Sequence, residues 1–333
     1  MTLADSLSTR DNAAIARDTL ARSKSLIEPA LDALTHRLSP ELRPVVLHHL
    51  SGGGKLVRAT LALLSAVAGG ADEQTGLVGA LAIELVHNFS LIHDDIIDGD
   101  VERRHVPTVW AKFGVGPALI AGDALLTLAF QILLEEPSNE RVKAARLLSD
   151  TTQGMIVGQG EDINSEHQLF LSVEDCVSME AGKTGALLAC AASIGAVLAG
   201  ADDQAVAALF DFGQHLGLAF QAVDDILGVW GDPHVTGKPV GNDLRMRKKT
   251  LPISIANAKG FEVFTEPFDR ELTDAEVAEA MVLLEECGAK YETMEMAESN
   301  LQAALASLDR VPLVPTAVSE LAAIAYYVIE RDK

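Results

Sequence analysis

The sequence predicts an all-α protein: one large bundle of ten or more helices, some of them central and ringed by the rest. Three observations carry that expectation. Aromatic residues make up only 5% of the 333 residues while the hydrophobic fraction reaches 48%, so the core rests on alanine and leucine, both strong helix formers. Apolar residues recur at spacings of three and four over 56–67, 77–92, 117–134, 181–198 and 205–227. Strand signals are nearly absent.

Each element has its own warrant. In "LSPELRPVVLHHL", Ser39 is placed to cap a helix that opens on Pro40. "SGGGK" (51–55) and "AGGADEQ" (68–74) bracket the next helix, and "EEPSNE" (135–140) ends the 117–134 run. "LSVEDCVSMEAGK" opens at Ser172 with acids in its first turn. "AGADD" (199–203), "GDPHVTGKPVGND" (231–243) and "EPFDRELTD" (266–274) are the later breaks, and Thr273 with Glu276 forms a capping-box pattern. Residues 185–201 and 205–227 are apolar on most sides and are therefore the central helices. No break resembles a linker, so 1–333 reads as one helical domain, with 1–15 as a disordered lead-in.

Composition excludes several classes. A net charge of -22 gives no basic stripe for nucleic acid and no attraction to an anionic membrane. "GALLACAASIGAVLAGA" approaches a membrane span in length, but its apolarity is mostly Ala and Gly, and Lys183 and Asp202 bracket it. No segment is expected to span a bilayer. Three cysteines, Cys176, Cys190 and Cys287, lack metal-site spacing, and the polar N-terminus is no secretory signal; both fit a cytoplasmic protein.

The chemistry starts at "LIHDDIIDGDVERR". Asp94 and Asp98, four apart on a helix, present carboxylates side by side, with Asp95 turned away. Such a pair either binds a hard cation such as Mg²⁺ or forms a solvated acidic helix end; its place directly after "IELVHNFSLIH" favours the cation. A second apolar helix, "LAFQAVDDILGVWGDP", also ends in adjacent acids, Asp224 and Asp225. Two acidic ends facing one cavity would repel each other unless cations stood between them, and Mg²⁺ commonly shares its coordination with phosphate. The scattered basic motifs then have a purpose: "GGGKLVR" (Lys55, Arg58), "ERRH" (Arg103, Arg104), "GKTG" (Lys183), "GKPVGND" (Lys238) and "RMRKKTLP" (Lys248) can meet a diphosphate.

From about residue 50 to 256 these motifs resemble, in order and spacing, the all-trans isoprenyl diphosphate synthases of the polyprenyl synthetase family. "LIHDDIID…RR" is similar to the first aspartate-rich motif, "GGKLVR" to G-G-K-x-x-R, and "FQAVDDILGVWGD…GKPVGNDLR…KKTLP" to the second aspartate-rich region. The resemblance implies an isoprenoid-synthase bundle around a deep cavity. It further implies head-to-tail condensation of isopentenyl diphosphate with dimethylallyl, geranyl or farnesyl diphosphate, three Mg²⁺ ions, and a homodimer. By matched position, Asp94 and Asp98 ligate two ions and Asp224 the third, with Asp225 and Asp243 supporting its waters. Arg103, Lys183 and Lys238 clamp the allylic diphosphate. Lys55, Arg58, His87 and Arg104 hold isopentenyl diphosphate, and Lys248 joins the substrate-binding set. Thr184, Gln221, Gln159 and Asp162 line or brace the chamber, with Lys183, Thr184, Gln221 and Lys238 at the chemistry.

Gly228 departs from the pattern, standing where many members have a third Asp, and predicts weaker support of the metal there. Product length is read from the helix before Asp94. Val86, Ser90 and Asp94 rise along nearly one face, beside Phe89. Phe89 taken alone reads as ordinary core packing, but the resemblance implies that bulky residues four and five places before the motif form the product floor. One aromatic beside a small Ser90 then implies a floor deeper than a C15 one, hence geranylgeranyl diphosphate (C20). Farnesyl and C25 or longer products are the alternatives. Two other readings compete: a non-catalytic regulatory subunit, supported only by Gly228, and a class I terpene cyclase, which would lack a use for Lys55 and Arg58.

Overall fold

Helix propensity and three-to-four periodicity are realised almost throughout the computed structural model, which describes residues 9–166, 168–233, 239–264 and 270–330. The chain runs α1 (Thr9–Thr35), α2 (Arg43–Leu50), α3 (Val57–Ala68) and α4 (Glu73–Ile97) into a two-stranded hairpin, β1 (Glu102–Arg103) and β2 (Val106–Pro107). There follow α5 (Val109–Phe113), α6 (Val115–Leu134), α7 (Asn139–Glu166) and α8 (Val173–Glu180). A π-helical turn (Ala181–Gly185) leads into α9 (Ala186–Leu198) and α10 (Asp203–Trp230). The remainder is α11 (Asn242–Arg245), α12 (Leu251–Ala258), α13 (Asp274–Glu286), α14 (Ala289–Leu308) and α15 (Pro315–Ile329).

The contacts sort into two compact units. The first comprises Met1–Asp150, Cys190–Phe210 and Leu308–Ile324; the second Thr151–Ala189, Asp211–Ser307 and Ala325–Lys333. In the first, α4 packs on α3 and α6 through fully buried Leu61, Leu63, Leu64, Ile83 and Val86. Each such side chain contributes roughly 1.5–3 kcal/mol. The Gly195 amide donates to Ser65 Oγ at 3.0 Å, tying α9 to α3. In the second, Val229, Leu244, Leu251, Ile253 and Leu284 form one apolar cluster. That cluster anchors the end of α10 to α11, α12 and α13, and so fixes the loop carrying Asp243.

Two caps stand where the sequence puts them. Ser172 Oγ accepts from the Asp175 amide at 3.0 Å, and Thr273 and Glu276 form the reciprocal box. Ser39 does not open a helix. Its Oγ accepts from the Leu42 amide in a preceding turn, and α2 starts at Arg43, immediately before Pro44. Proline is favoured in a first turn and disruptive within a helix, so Pro44 outcompetes Pro40. Helix α1 begins at Thr9, inside the stretch expected as a lead-in.

The expectation that no segment could span a bilayer is corrected. Glu73–Ile97, Val115–Leu134 and Val173–Leu198 are long and apolar enough by length and composition alone. Their hydropathy has a packing explanation: of the best 18-residue windows, 61%, 44% and 61% respectively are buried inside the protein. A helix apolar on most sides fits a large helical core as well as a membrane.

Candidate active site

Helix α4 delivers its acids at its negative end. Asp98 is the C-cap, its amide donating to Asp94 O at 2.8 Å, and the Asp100 amide donates to Asp95 O at 3.0 Å. Carboxylates at a helix C-terminus oppose the macrodipole, so packing alone gives no reason for three of them there. Asp95 is 1% exposed and pairs with Arg103, whose Nε donates to Oδ1 at 2.7 Å. Asp95 Oδ2 is buried without a hydrogen-bond partner. Burial first, against the pull of Arg103, raises the carboxyl above its usual range. Because the bond uses Nε, the Nη fork of Arg103 is the part suited to a diphosphate.

The hairpin shapes the adjoining basic wall. Arg104 and His105 occupy its two-residue turn with φ of 53° and 63°, where Asn-Gly would be usual. Leu56 (φ 52°) and Arg247 (φ 51°) complete the described non-glycine residues with positive φ. All four lie in the basic motifs picked out of the sequence, and strain of this kind collects at ligand sites. The Arg104 guanidinium lies over Gly54, 3.5 Å from where a Cβ would stand.

Behind it, Arg58 Nη1 lies 3.4 Å from His87 Nε2. Since arginine only donates, His87 accepts there and carries its proton on Nδ1. Burial, then Arg58 and Arg104, hold the His87 pKa well below its ordinary value. His49, which the sequence reading missed, is pushed down to about 4 by burial and then by Arg103. Both rings are therefore neutral near pH 7. His49 lines a pocket with His48, Asp95, Arg103 and Arg104. Lys55 is exposed at the start of this region.

The other acidic set belongs to the second unit, where the π-turn bulges Lys183 and Thr184 out of the helix. Such turns recur at functional sites. Gly158 on α7 and Gly217 on α10 admit the bulge: a Cβ at 158 would meet Lys183 N at 2.5 Å, and one at 217 would meet Gly185 Cα at 2.6 Å. Lys183 Nζ pairs with Asp162, and Gln159 is half-buried on the same helix α7.

Thr184 Oγ1 donates to Gln221 Oε1 at 2.9 Å, and Gln221 Nε2 donates to Asp225 Oδ1 at 2.9 Å. The Leu251 amide donates to Asp225 Oδ2 at 2.7 Å. Thus the sequence-predicted Lys183 and Asp162 form one pair and Thr184, Gln221 and Asp225 one hydrogen-bonded chain, both starting from the same π-turn. Asp224, half-buried, precedes Asp225 near the end of α10. Lys248 is exposed and its amide donates to Asp243 O at 2.9 Å. Its neighbours Arg247 and Lys249 are buried and stack over Phe264. Lys238 lies outside the described residues.

Glu180 is the second missed residue. It is 6% exposed, accepts from Cys176 Sγ at 3.3 Å and hydrogen-bonds Asp225. Burial, then the charge of Asp225, holds Glu180 well above the carboxylate range, so it is the protonated donor of the pair. Asp225 itself is raised to about 6, by burial first. A folded-state pKa above the ordinary 3.8 stabilises the protein fully below that value, and the contribution is lost as pH rises through 6. In EDTA, the melting temperature is therefore expected to fall between pH 4 and 6, and Asp225→Asn to flatten that slope. An unchanged slope in the variant would contradict the assignment.

Among the described residues, no three acids, histidines or cysteines form a closed metal cage. Mg²⁺ does not require one, since it usually takes one or two carboxylates plus water and substrate phosphate. In the first unit Asp94 and Asp98 beside the orphaned Asp95 Oδ2, and in the second unit Asp224, each offer the hard oxygen donors that ion takes.

The residues expected to form the product floor lie on α4. Val86 is fully buried, and Ser90 Oγ donates back to His87 O at 2.9 Å. Phe89 meets the His93 ring edge-on at 4.9 Å between centroids, and His93 in turn reaches Leu119 O on α6.

Comparison with known proteins bears on all of this. The polyprenyl synthetase family profile matches residues 39–283. A (2E,6E)-farnesyl diphosphate synthase of Mycobacterium bovis is 39% identical, covering 94% of this chain and 92% of its own. A geranylgeranyl diphosphate synthase of Mycobacterium tuberculosis is 38% identical over 94% and 93%. Among solved structures, the polyprenyl synthetase of Streptomyces coelicolor A3(2) superposes with a TM-score of 0.90 at 42% identity, covering 94% and 99%. The Corynebacterium glutamicum geranylgeranyl pyrophosphate synthase, complexed with isoprenyl diphosphate and magnesium, gives 0.80 at 27% identity over 98% and 100%. With a profile match over most of its length and relatives this similar from end to end, the chain is a member of the polyprenyl synthetase family.

Proposed function

We propose that this protein is a Mg²⁺-dependent prenyltransferase condensing isopentenyl diphosphate head-to-tail with dimethylallyl, geranyl and farnesyl diphosphates to geranylgeranyl diphosphate. The observation that carries the reading is the network Lys183–Asp162 and Thr184–Gln221–Asp225 beside Asp224, matched by Asp95–Arg103 beside Asp94 and Asp98. Two acidic ends, each wired to a fixed cation or donor, are what departure of a diphosphate requires.

Asp94, Asp98 and Asp224 would hold three Mg²⁺ ions, with Asp225 and Asp243 steadying the third. Bound metal supplies Lewis-acid neutralisation of the departing diphosphate. Asp162 fixes Lys183, and Asp95 fixes Arg103, so both cations reach the leaving group already oriented. Lys55, Arg58 and Arg104 receive isopentenyl diphosphate; neutral His87 and His49 add donors without further charge. The apolar wall of α4 excludes water from the allylic cation until the double bond attacks. The proton lost in the last step goes to the released diphosphate. No side-chain base is needed.

Residues Val115, Leu119 and Ile120 leave an exposed apolar stretch on α6 that supports a homodimer. No disulfide joins Cys176, Cys190 or Cys287, which supports a cytoplasmic location.

The test is purified protein with Mg²⁺, labelled isopentenyl diphosphate and each allylic primer in turn. C20 product is expected. Elongation absent with every primer would favour the regulatory subunit, and cyclised hydrocarbon would favour the terpene cyclase. Length is tested separately: Ser90→Phe should shorten the product and Phe89→Ala should lengthen it. Unchanged distributions in both variants would remove α4 as the floor.

A further inference from the structure

We propose that Gly228 is the residue that admits the Asp243 carboxylate onto α10, so that the third acid of this cluster comes from the loop instead of the helix. The proposal rests on the reading that this end of α10 handles a divalent cation.

Gly228 lies four residues after Asp224 and shares its face of the helix. A Cβ built on Gly228 would stand 2.5 Å from Asp243 Cγ, 3.2 Å from Oδ1 and closer still to Oδ2. No side chain fits at 228 while Asp243 keeps its place. The carboxylate therefore occupies the surface one turn beyond Asp224, the space an aspartate at 228 would fill. The expected gap in the acidic motif is closed from outside the helix.

Nothing else accounts for the glycine. Gly228 is not among the glycines with positive φ, and glycine inside a helix is unfavourable relative to alanine. The placement of Asp243, by contrast, is fixed from both sides. The Gly241 amide donates to Val229 O at 3.0 Å, pinning the loop to the last turn of α10. Gly241 has φ of 69°, and a Cβ there would strike Val277. Beyond Asp243, Leu244 is fully buried, and Arg245 donates to Leu272 O at 3.1 Å and Asp274 Oδ1 at 2.7 Å. The charge of Asp243 also reaches Asp225. A carboxylate held this firmly against other carboxylates has a cation to gain.

Four proteins test this: the parent, Gly228→Ala, Asp243→Gly, and the exchange Gly228→Asp/Asp243→Gly. Each is melted in EDTA to establish folding. Binding of inorganic pyrophosphate is then measured by calorimetry at fixed Mg²⁺, with turnover alongside. Gly228→Ala and Asp243→Gly should each melt near the parent, yet bind Mg²⁺-pyrophosphate about ten- to a hundredfold more weakly. The exchange should recover most of that loss. Gly228→Ala binding as tightly as the parent, or an exchange no better than Asp243→Gly alone, overturns the proposal. Should Gly228→Ala fail to fold, the comparison of Asp243→Gly with the exchange decides by itself. A parent protein that binds no pyrophosphate with Mg²⁺ instead defeats the metal reading on which the proposal rests.

Discussion

Asp94→Ala is expected to lower kcat/KM by about a hundred- to a thousandfold, the scale of losing one preorganised charge at a departing group. Stability should barely change. Asp94 is half-buried near the C-terminal end of α4, where a carboxylate opposes the helix dipole, so its removal relieves repulsion from Asp95 and Asp98. If Asp94 and Asp224 serve one diphosphate, the double variant should be much less than multiplicatively worse than either single one. Steady-state kinetics at saturating Mg²⁺, with thermal melts as control, checks both points. Turnover at the parental rate would remove Asp94 from the chemistry.

Arg103→Ala should be the most destabilising of the site variants, by about 2–3 kcal/mol at pH 7. Breaking a buried ion pair typically costs more, but Arg103 is 31% exposed and water screens part of the interaction. The loss arises from Asp95, which is 1% exposed and left without its partner. The sign with pH follows from the carboxyl. Burial already raises its pKa, and removing Arg103 raises it further, so the penalty is present at neutral pH. It fades as pH falls through the raised pKa of the folded carboxyl and is gone below the ordinary 3.8 of the unfolded chain. Arg103→Ala/Asp95→Asn should regain stability without regaining activity, because the Nη fork is still missing. Urea unfolding at pH 7 and pH 4, with kinetics on the double variant, separates the two effects. A penalty of equal size at both pH values would show that Asp95 is not its source.

Much of this was legible in the sequence because it rests on local pattern. Periodicity located the long helices, and the acid pairs stood out against apolar surroundings. Thr184 and Gln221 were picked out by matched motifs, but their hydrogen bond to each other was not. What escaped detection depends on tertiary packing. The π-turn has no sequence mark of its own; Gly158 and Gly217 permit it from other helices, 25 and 34 residues away from Lys183. Glu180 reads as one more acid at the end of α8 until burial beside Asp225 makes it a protonated donor. His49 sits in an ordinary "LHHL", and only its burial, with Arg103 nearby, marks it out. Ser39 misled because its cap-like pairing with Pro40 competed with a second proline four residues on, Pro44. Gly228 is the instructive case. Aligned as a string it is a missing acid; in three dimensions it is room for one.

The central claim is that both acidic helix ends serve a single diphosphate. A crystal structure with Mn²⁺ and an unreactive allylic diphosphate analogue tests it most directly, since anomalous scattering marks each ion. The account predicts ions on Asp94 and Asp98 and another on Asp224, all touching oxygens of one diphosphate that Lys183 and Arg103 also contact. An analogue bound through only one of the two aspartate sets, with the other holding no ion, would contradict it.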